Sequence, residues 1–347
     1  MRTVLLEMEK LRHLETGLGQ FCLHLGRQLV AREAPDLDLS FFLPPSRRGV
    51  FGAGRDYVLQ RPWHKLLLPG SSRFDVWHCC HQDSKYLPSS KSRLLLTVHD
   101  LNFLWKYSDS KRSRRLKLLQ ERVGRCSGIA VDSSFTGSVL REHADVGDIP
   151  VRVIPLGNSL AHFRDPKRPA LAPAGRFFLA LGMLSPRKNF HVLPAVLERF
   201  PAHSLLVAGP GHPEYARVIR AEAGRHGVLD RVIFAGEIGD EDRFWYYRNC
   251  EALLFPSLSE GFGLPVVEAM SLGKPVFLSR LTSLPEVGGE AAFYFDDFDP
   301  GHMRDVVERG LQLASADPGF SARLVERSRR FSWEETAASY LEFYRTI

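Results

Sequence analysis

Residues Phe255 to Met270 read Phe-Pro-Ser-Leu-Ser-Glu-Gly-Phe-Gly-Leu-Pro-Val-Val-Glu-Ala-Met. An apolar run ends at Phe255, a glycine loop follows, and Pro265 stands where a helix would begin, a position that tolerates its missing N–H. Gly261 and Gly263 allow close approach of a ligand to the backbone. Together with Phe262 and Leu264 they bring N–H groups to a helix N-terminus, which favours an anion. Glu260 stands before the turn and Glu268 about one helical turn into the helix. Such carboxylates would repel a phosphate they touched, but they suit the sugar and ribose hydroxyls on either side of a diphosphate. A second segment, Leu181-Gly182-Met183-Leu184-Ser185-Pro186-Arg187-Lys188-Asn189, also leaves an apolar run and enters a helix. Arg187 and Lys188 are adjacent and can both reach a diphosphate, stabilising negative charge that develops as a leaving group departs.

The first half offers weaker signals. Gly17 and Gly19, in Thr16-Gly17-Leu18-Gly19-Gln20, could admit a ligand to another helix start, although the third glycine of a dinucleotide fingerprint is missing. His99 ends the run Leu94–Val98 and is followed by Asp100, which could orient it or cap the next segment. His78-Cys79-Cys80-His81 resembles a metal cluster only in composition. Successive strand side chains point to opposite faces, so the four cannot converge on one ion. His81 and Gln82 could still meet an acceptor, and Ser134, at the start of a helix after Asp132, is a further contact. We assign no metal.

These residues need a scaffold that brings loops to one edge. Apolar runs of four to eight residues recur at Thr3–Met8, Leu37–Leu43, Phe74–Cys80, Leu94–Val98, Ile129–Asp132 and Val151–Leu156. They recur again at Phe177–Leu181, Ser204–Ala208, Arg231–Ala235, Ala252–Phe255, Pro275–Leu278 and Ala292–Phe295. They alternate with helical patterns such as Phe190–Phe200, Glu214–His226 and Asp240–Arg248, which predicts two doubly wound α/β sheets of parallel strands. The Pro-rich stretch 158–176 places the boundary so that residues 1–165 form one domain and 166–330 a second. Residues 331–347 form a final helix, capped by Ser332 with Glu335 at capping-box spacing and able to pack back on the first domain.

Composition narrows the function classes. The chain has 347 residues, 44% hydrophobic and 25% charged, as in a folded two-domain protein. No stretch approaches the roughly 20 apolar residues of a membrane span, and the N-terminus meets acid too early for a secretory signal. Five cysteines without framework spacing predict reduced thiols and a cytoplasmic location. The net charge of +6 is carried by residues 1–165, which hold 25 Lys and Arg against 17 Asp and Glu. Lys106 to Arg125 reads as a basic amphipathic helix that could contact anionic lipid at the inner face of a membrane. It lacks the interleaved aromatics of a nucleic-acid surface, and we expect no nucleic-acid partner.

The string around Glu260 and Glu268 closely resembles the paired-glutamate motif of the family-4 glycosyltransferases of GT-B architecture. The likeness extends through Gly182–Asn189, Val207–Gly211, Val232–Gly236 and Trp333. The resemblance implies two Rossmann-like domains facing each other across a cleft, with no required cofactor. The implied activity is retaining transfer of a hexose, mannose by family likeness, from a GDP- or UDP-sugar to a saccharide or lipid-linked saccharide, as in bacterial polysaccharide and lipopolysaccharide synthesis. It implies that Glu268 binds the ribose. Glu260, with the backbone of Gly261 to Leu264, would contact sugar and phosphates, and Lys188 and Arg187 would hold the diphosphate. Gly17 and Gly19 would lie beside donor phosphate and acceptor, and His99 would touch the donor sugar. The arginine that many relatives carry five residues before the lysine is Met183 here, and Arg187 takes its place. A metal-dependent reading of Asp297-Phe298-Asp299 is set aside, because these residues look like a loop before a helix at His302. A sugar-nucleotide epimerase on the same fold, or a non-catalytic sugar or nucleic-acid binder, are the rival readings.

Overall fold

The computed structural model describes residues 1–65, 70–88 and 91–347. The chain divides into two compact units, Met1–Gly157 with Ser332–Ile347, and Asn158–Phe331.

The first unit is built on a parallel sheet of seven strands: β1 (Arg2–Glu7), β2 (Leu37–Leu43), β3 (Asp56–Leu59), β4 (Val76–Cys79), β5 (Arg93–Val98), β6 (Cys126–Val131) and β7 (Val151–Val153). Their order is β3-β2-β1-β4-β5-β6-β7. The second holds six: β8 (Arg176–Leu181), β9 (His203–Ala208), β10 (Val232–Gly236), β11 (Ala252–Phe255), β12 (Val276–Ser279) and β13 (Phe293–Phe295). Their order is β10-β9-β8-β11-β12-β13, again all parallel. Both are doubly wound, Rossmann-like sheets whose strand order reverses beside the first strand, between β1 and β4 and between β8 and β11. Open α/β sheets bind ligands beyond the carboxyl ends of the strands at such switch points. The central runs are apolar throughout because helices cover both faces: Val4, Leu5 and Leu6, like Leu205 to Ala208, are 0% exposed.

Four sequence expectations are corrected. The units change over at Gly157 rather than Asp165, because residues 158–165 are bonded into the second unit. Asn158 N–H donates to the carbonyl of Phe331 (3.0 Å), and Arg243 donates to that of Ser159 (3.3 Å). The segment Phe190–Glu198 is a 3-10 rather than an α-helix, since Pro194 inside it has no N–H to give. The basic run breaks at Tyr107 and Ser108 into helices Phe103–Lys106 and Asp109–Val123. Strand β3 was not anticipated; at four residues on the sheet edge it carries little periodic signal.

Helix Trp333–Thr346 belongs to the first unit. Ser332 caps it by accepting from Glu335 N–H (3.3 Å), and its hydroxyl donates to the Glu334 carboxylate (2.7 Å). Trp333 stacks on His24 at 5.3 Å, and Gly157 must be glycine there, as a Cβ would lie 2.2 Å from the Trp333 nitrogen. Farther along, Tyr344 bonds His78 Nδ1 (2.8 Å), His78 Nε2 meets Thr97 (2.7 Å), and Thr97 meets Tyr340 (2.9 Å), all buried. All five cysteines are buried and free. Among the described residues no helix is long and apolar enough to cross a membrane.

Candidate active site

The loops after β8 and β11 meet at the second sheet's switch point. Leu258 N–H donates to the Arg187 carbonyl (2.8 Å), so the two loops are tied together. Asn189 turns the first loop in the left-handed region (φ 57°), which asparagine tolerates. Gly182 has φ 142°, and a Cβ on it would come 2.9 Å from Lys188 Cε; the glycine makes room for the lysine.

Lys188, 6% exposed, places Nζ 2.7 Å from Glu260 Oε1 and over the Phe255 ring at 4.5 Å. Arg187 NH1 lies 3.0 Å from the same oxygen and also bonds the Ser259 carbonyl. Ser257, fully buried, adds its hydroxyl to Glu260 Oε1. The backbone around Glu260 is fixed by the loop after β12: Thr282 accepts from Glu260 N–H and Ser283 donates to the Glu260 carbonyl, each at 3.0 Å. Burial works against the Glu260 charge, but Lys188 and Arg187 outweigh it and hold the carboxyl below its usual range. The result is an ionised carboxylate clamped by two cations at the sheet edge. Gly263, at φ 114°, starts helix Leu264–Ser271 directly afterwards.

Glu268 lies on that helix at 2% exposure. Tyr247 donates to its Oε2 (2.9 Å), and Arg243 NH1 stands 3.4 Å from Oε1. Burial pushes its carboxyl up, with Arg243 and Tyr247 opposing. Sequence reasoning missed Ser257, Arg243 and Tyr247. Ser257 lies inside the glutamate string without a chemistry of its own to single it out, and only the fold carries Arg243 and Tyr247 from the preceding helix, Asp240–Asn249, to Glu268. Asp299 caps helix Pro300–Ala316 through Gly301 and His302 N–H groups, which explains the Asp-x-Asp pattern locally.

In the first unit His99 directly follows β5 and is 6% exposed. Its Nδ1 meets Asp132 Oδ2 (2.6 Å) and its Nε2 the Cys80 carbonyl (2.8 Å). The Cys80 carbonyl can only accept, so Nε2 carries a proton, while Nδ1 shares one with the Asp132 carboxyl, whose own pKa burial raises. Burial opposes charge on the ring, but Asp132 prevails and raises the His99 pKa. The orienting acid is therefore Asp132 and not Asp100, whose Oδ1 caps Asn102 N–H (2.9 Å). Gln82 is likewise used internally, donating to the Asp100 carbonyl (2.8 Å) and accepting from His99 N–H (3.3 Å). Ser134 is exposed at the start of helix Ser134–His143. Gly19 is needed by its own chain, as a Cβ would sit 2.0 Å from the His13 carbonyl, whereas Gly17 faces open space.

His81 lies at the first switch point with Glu7 and Glu9, their donor atoms within 4.8 Å of one another. His81 Nδ1 accepts Asp83 N–H (3.2 Å), so the neutral ring bears its proton on Nε2, facing Glu7 (3.9 Å) and Glu9 (3.8 Å). The three groups present a ring nitrogen and two carboxyls, suited to a hydroxyl.

Residues 163–330 match the model of the glycosyl transferases group 1 family. Over 46% of its length the chain is 37% identical to the serotype-specific mannosyltransferase WbdA of Escherichia coli, of which it spans 20%. It is 27% identical to the O-antigen chain mannosyltransferase B of Escherichia coli, over 99% of this chain and 100% of that one. The fold is similar to that of Anabaena HepE, solved in complex with UDP-glucose, with TM-score 0.77, 14% identity and complete coverage of both chains. The chain is thus similar to the glycosyl transferases group 1 family over residues 163–330, the stretch that holds the carboxylate clamped by adjacent cations.

Proposed function

We propose that the protein transfers a hexose, mannose in the first instance, from a nucleoside-diphosphate sugar to a hydroxyl of a saccharide or lipid-linked saccharide, with retention of configuration. The observation that carries this reading is the Lys188–Arg187–Glu260 cluster at the switch point of the second sheet. Mannose is favoured because relatives are named mannosyltransferases. A nucleotide-sugar donor is favoured because HepE, which shares the fold, was solved in complex with UDP-glucose. Polysaccharide synthesis fits the O-antigen relatives.

In this mechanism Lys188 and Arg187 leave Glu260 for the diphosphate and, with the N–H groups that start helix Leu264–Ser271, stabilise the charge of the leaving group. Glu260 and the loop Gly261 to Leu264 then hold sugar hydroxyls, and Glu268 the ribose. Double displacement needs a free carboxylate nucleophile. Glu260, engaged by sugar hydroxyls and by the Ser257 hydroxyl, is a poor one. Transfer therefore runs on the front face, the departing phosphate oxygen helping to deprotonate the acceptor. His99, with both nitrogens engaged, is held in place and does not transfer a proton. His81, with Glu7 and Glu9, takes an acceptor hydroxyl, and the basic segment Lys106–Arg125 keeps the enzyme near anionic lipid on the cytoplasmic face.

Thermal shift with nucleoside diphosphates and their sugars tests the donor, and product analysis with donor alone separates transfer from epimerisation. Lys188→Ala should lower kcat/KM by about 10²–10³-fold, the usual effect of removing one preorganised charge-stabilising donor. Transfer at the wild-type rate in Lys188→Ala and Glu268→Ala would overturn the assignment.

A further inference from the structure

Helix Asp109–Val123 borders an open pocket of roughly 440 Å³ that the transfer reaction does not use. Lys85, Lys111, Arg114, Arg115 and Arg122 line it, with one carboxylate, Asp83. The four helical cations fall at i, i+3, i+4 and i+11, which puts them on one face. Like charges at i, i+3 and i+4 weaken a helix unless something neutralises them. Asp83 does part of this, meeting Arg115 and standing 3.8 Å from Arg122, which also donates to the Gln82 carbonyl. Arg115 is further fixed over the rings of Phe103 (5.3 Å) and Tyr107 (5.5 Å). Two guanidinium groups are thus preorganised, while Lys85, Lys111 and Arg114 make no ion pair among the described residues. The pocket has five cations for one acid, and its rim carries exposed Leu118.

Convergent, partly fixed guanidinium and ammonium groups match the oxygens of a phosphate. We propose that this pocket binds the phosphate group of an anionic ligand, at a site separate from the cation pair of the second unit. A lipid headgroup and a soluble phosphorylated molecule present the same oxygens.

The test uses the full chain with saturating nucleoside diphosphate, so that the second unit's cations are occupied. One arm follows the melting temperature with inorganic pyrophosphate. The other follows co-sedimentation with phosphatidylcholine vesicles, with and without phosphatidic acid. Lys111→Gln/Arg114→Gln removes two exposed charges from the pocket. Lys117→Gln/Lys91→Gln removes two exposed charges outside it. The pocket variant should lose the pyrophosphate shift or bind phosphatidic acid vesicles about 25-fold more weakly, about fivefold per charge, and the control variant should retain most of the response. A response to pyrophosphate alone assigns a soluble phosphate, and one to vesicles a lipid. Indifference of the wild type to both probes, or equal losses in the two variants, would overturn the proposal. Donor-dependent stabilisation is read in the same experiment, so its failure would show separately.

Discussion

Glu260→Gln separates the two roles assigned to Glu260. In the ligand-free protein its carboxylate occupies the cations that must later hold a diphosphate, with Lys188 at 2.7 Å and Arg187 at 3.0 Å. The gross attraction at the shorter distance is about 6 kcal/mol for an effective dielectric near 20. Much of it is offset by desolvation, since Lys188 is 8% and Glu260 11% exposed at the side chain. A charge-assisted hydrogen bond retains about 1.5–3 kcal/mol net. The amide keeps the shape but not the charge, so the ligand-free protein should lose about 2–3 kcal/mol, a fall of about 5–10 °C in melting temperature for a unit of this size. The cations are then free for phosphate, and a nucleoside diphosphate should bind about tenfold tighter or more, the affinity equivalent of one such bond. Sugar transfer should fall nonetheless, because the carboxylate no longer meets the sugar hydroxyls. Calorimetric titration of UDP and GDP, thermal melting and a transfer assay on the same preparations supply the three readouts. A variant that melts with the wild type and binds nucleoside diphosphate no tighter would refute the clamp.

Gly182→Ala should cost about 1–3 kcal/mol, because the left-handed backbone is strained and the new methyl crowds Lys188; donor affinity should fall with it, measured by titration. Tyr247→Phe removes the donor from buried Glu268, with an expected loss of about 1–3 kcal/mol in chemical denaturation and weaker nucleotide binding. His78, buried against Tyr340 and Tyr344 of the C-terminal helix, is held down to a pKa of about 3 by burial. Its neutral form is favoured on folding, so its contribution is complete above the unfolded value of 6.5 and falls as pH drops below it, by about 1.4 kcal/mol per unit. The melting temperature of wild type minus that of His78→Gln should therefore shrink between pH 7 and pH 5; a constant difference would mean that His78 is not buried neutral.

Much of the site was legible because it lies in short contiguous strings. Glu260, the glycine loop and Pro265 are near neighbours in sequence, as are Gly182, Arg187 and Lys188, and in each string the chemistry depends on a strand-to-helix transition that local patterning reveals. Both parallel sheets were legible for the same reason, since strands buried on two faces leave near-continuous apolar runs. Partners drawn from distant segments were not. Asp132 reaches His99 from the adjacent strand, Tyr247 and Arg243 reach Glu268, and Glu7 and Glu9 reach His81 only once β1 and β4 are paired. Asp100 and Gln82 carried the right chemistry for a site, yet the fold uses both internally, as a cap and a staple. The sequence by itself determined which backbone turns can face a ligand, because φ preference and helix starts are local. The tertiary structure alone decided which side chains are charged, neutral or already engaged, because burial and counter-charge are properties of the packed neighbourhood.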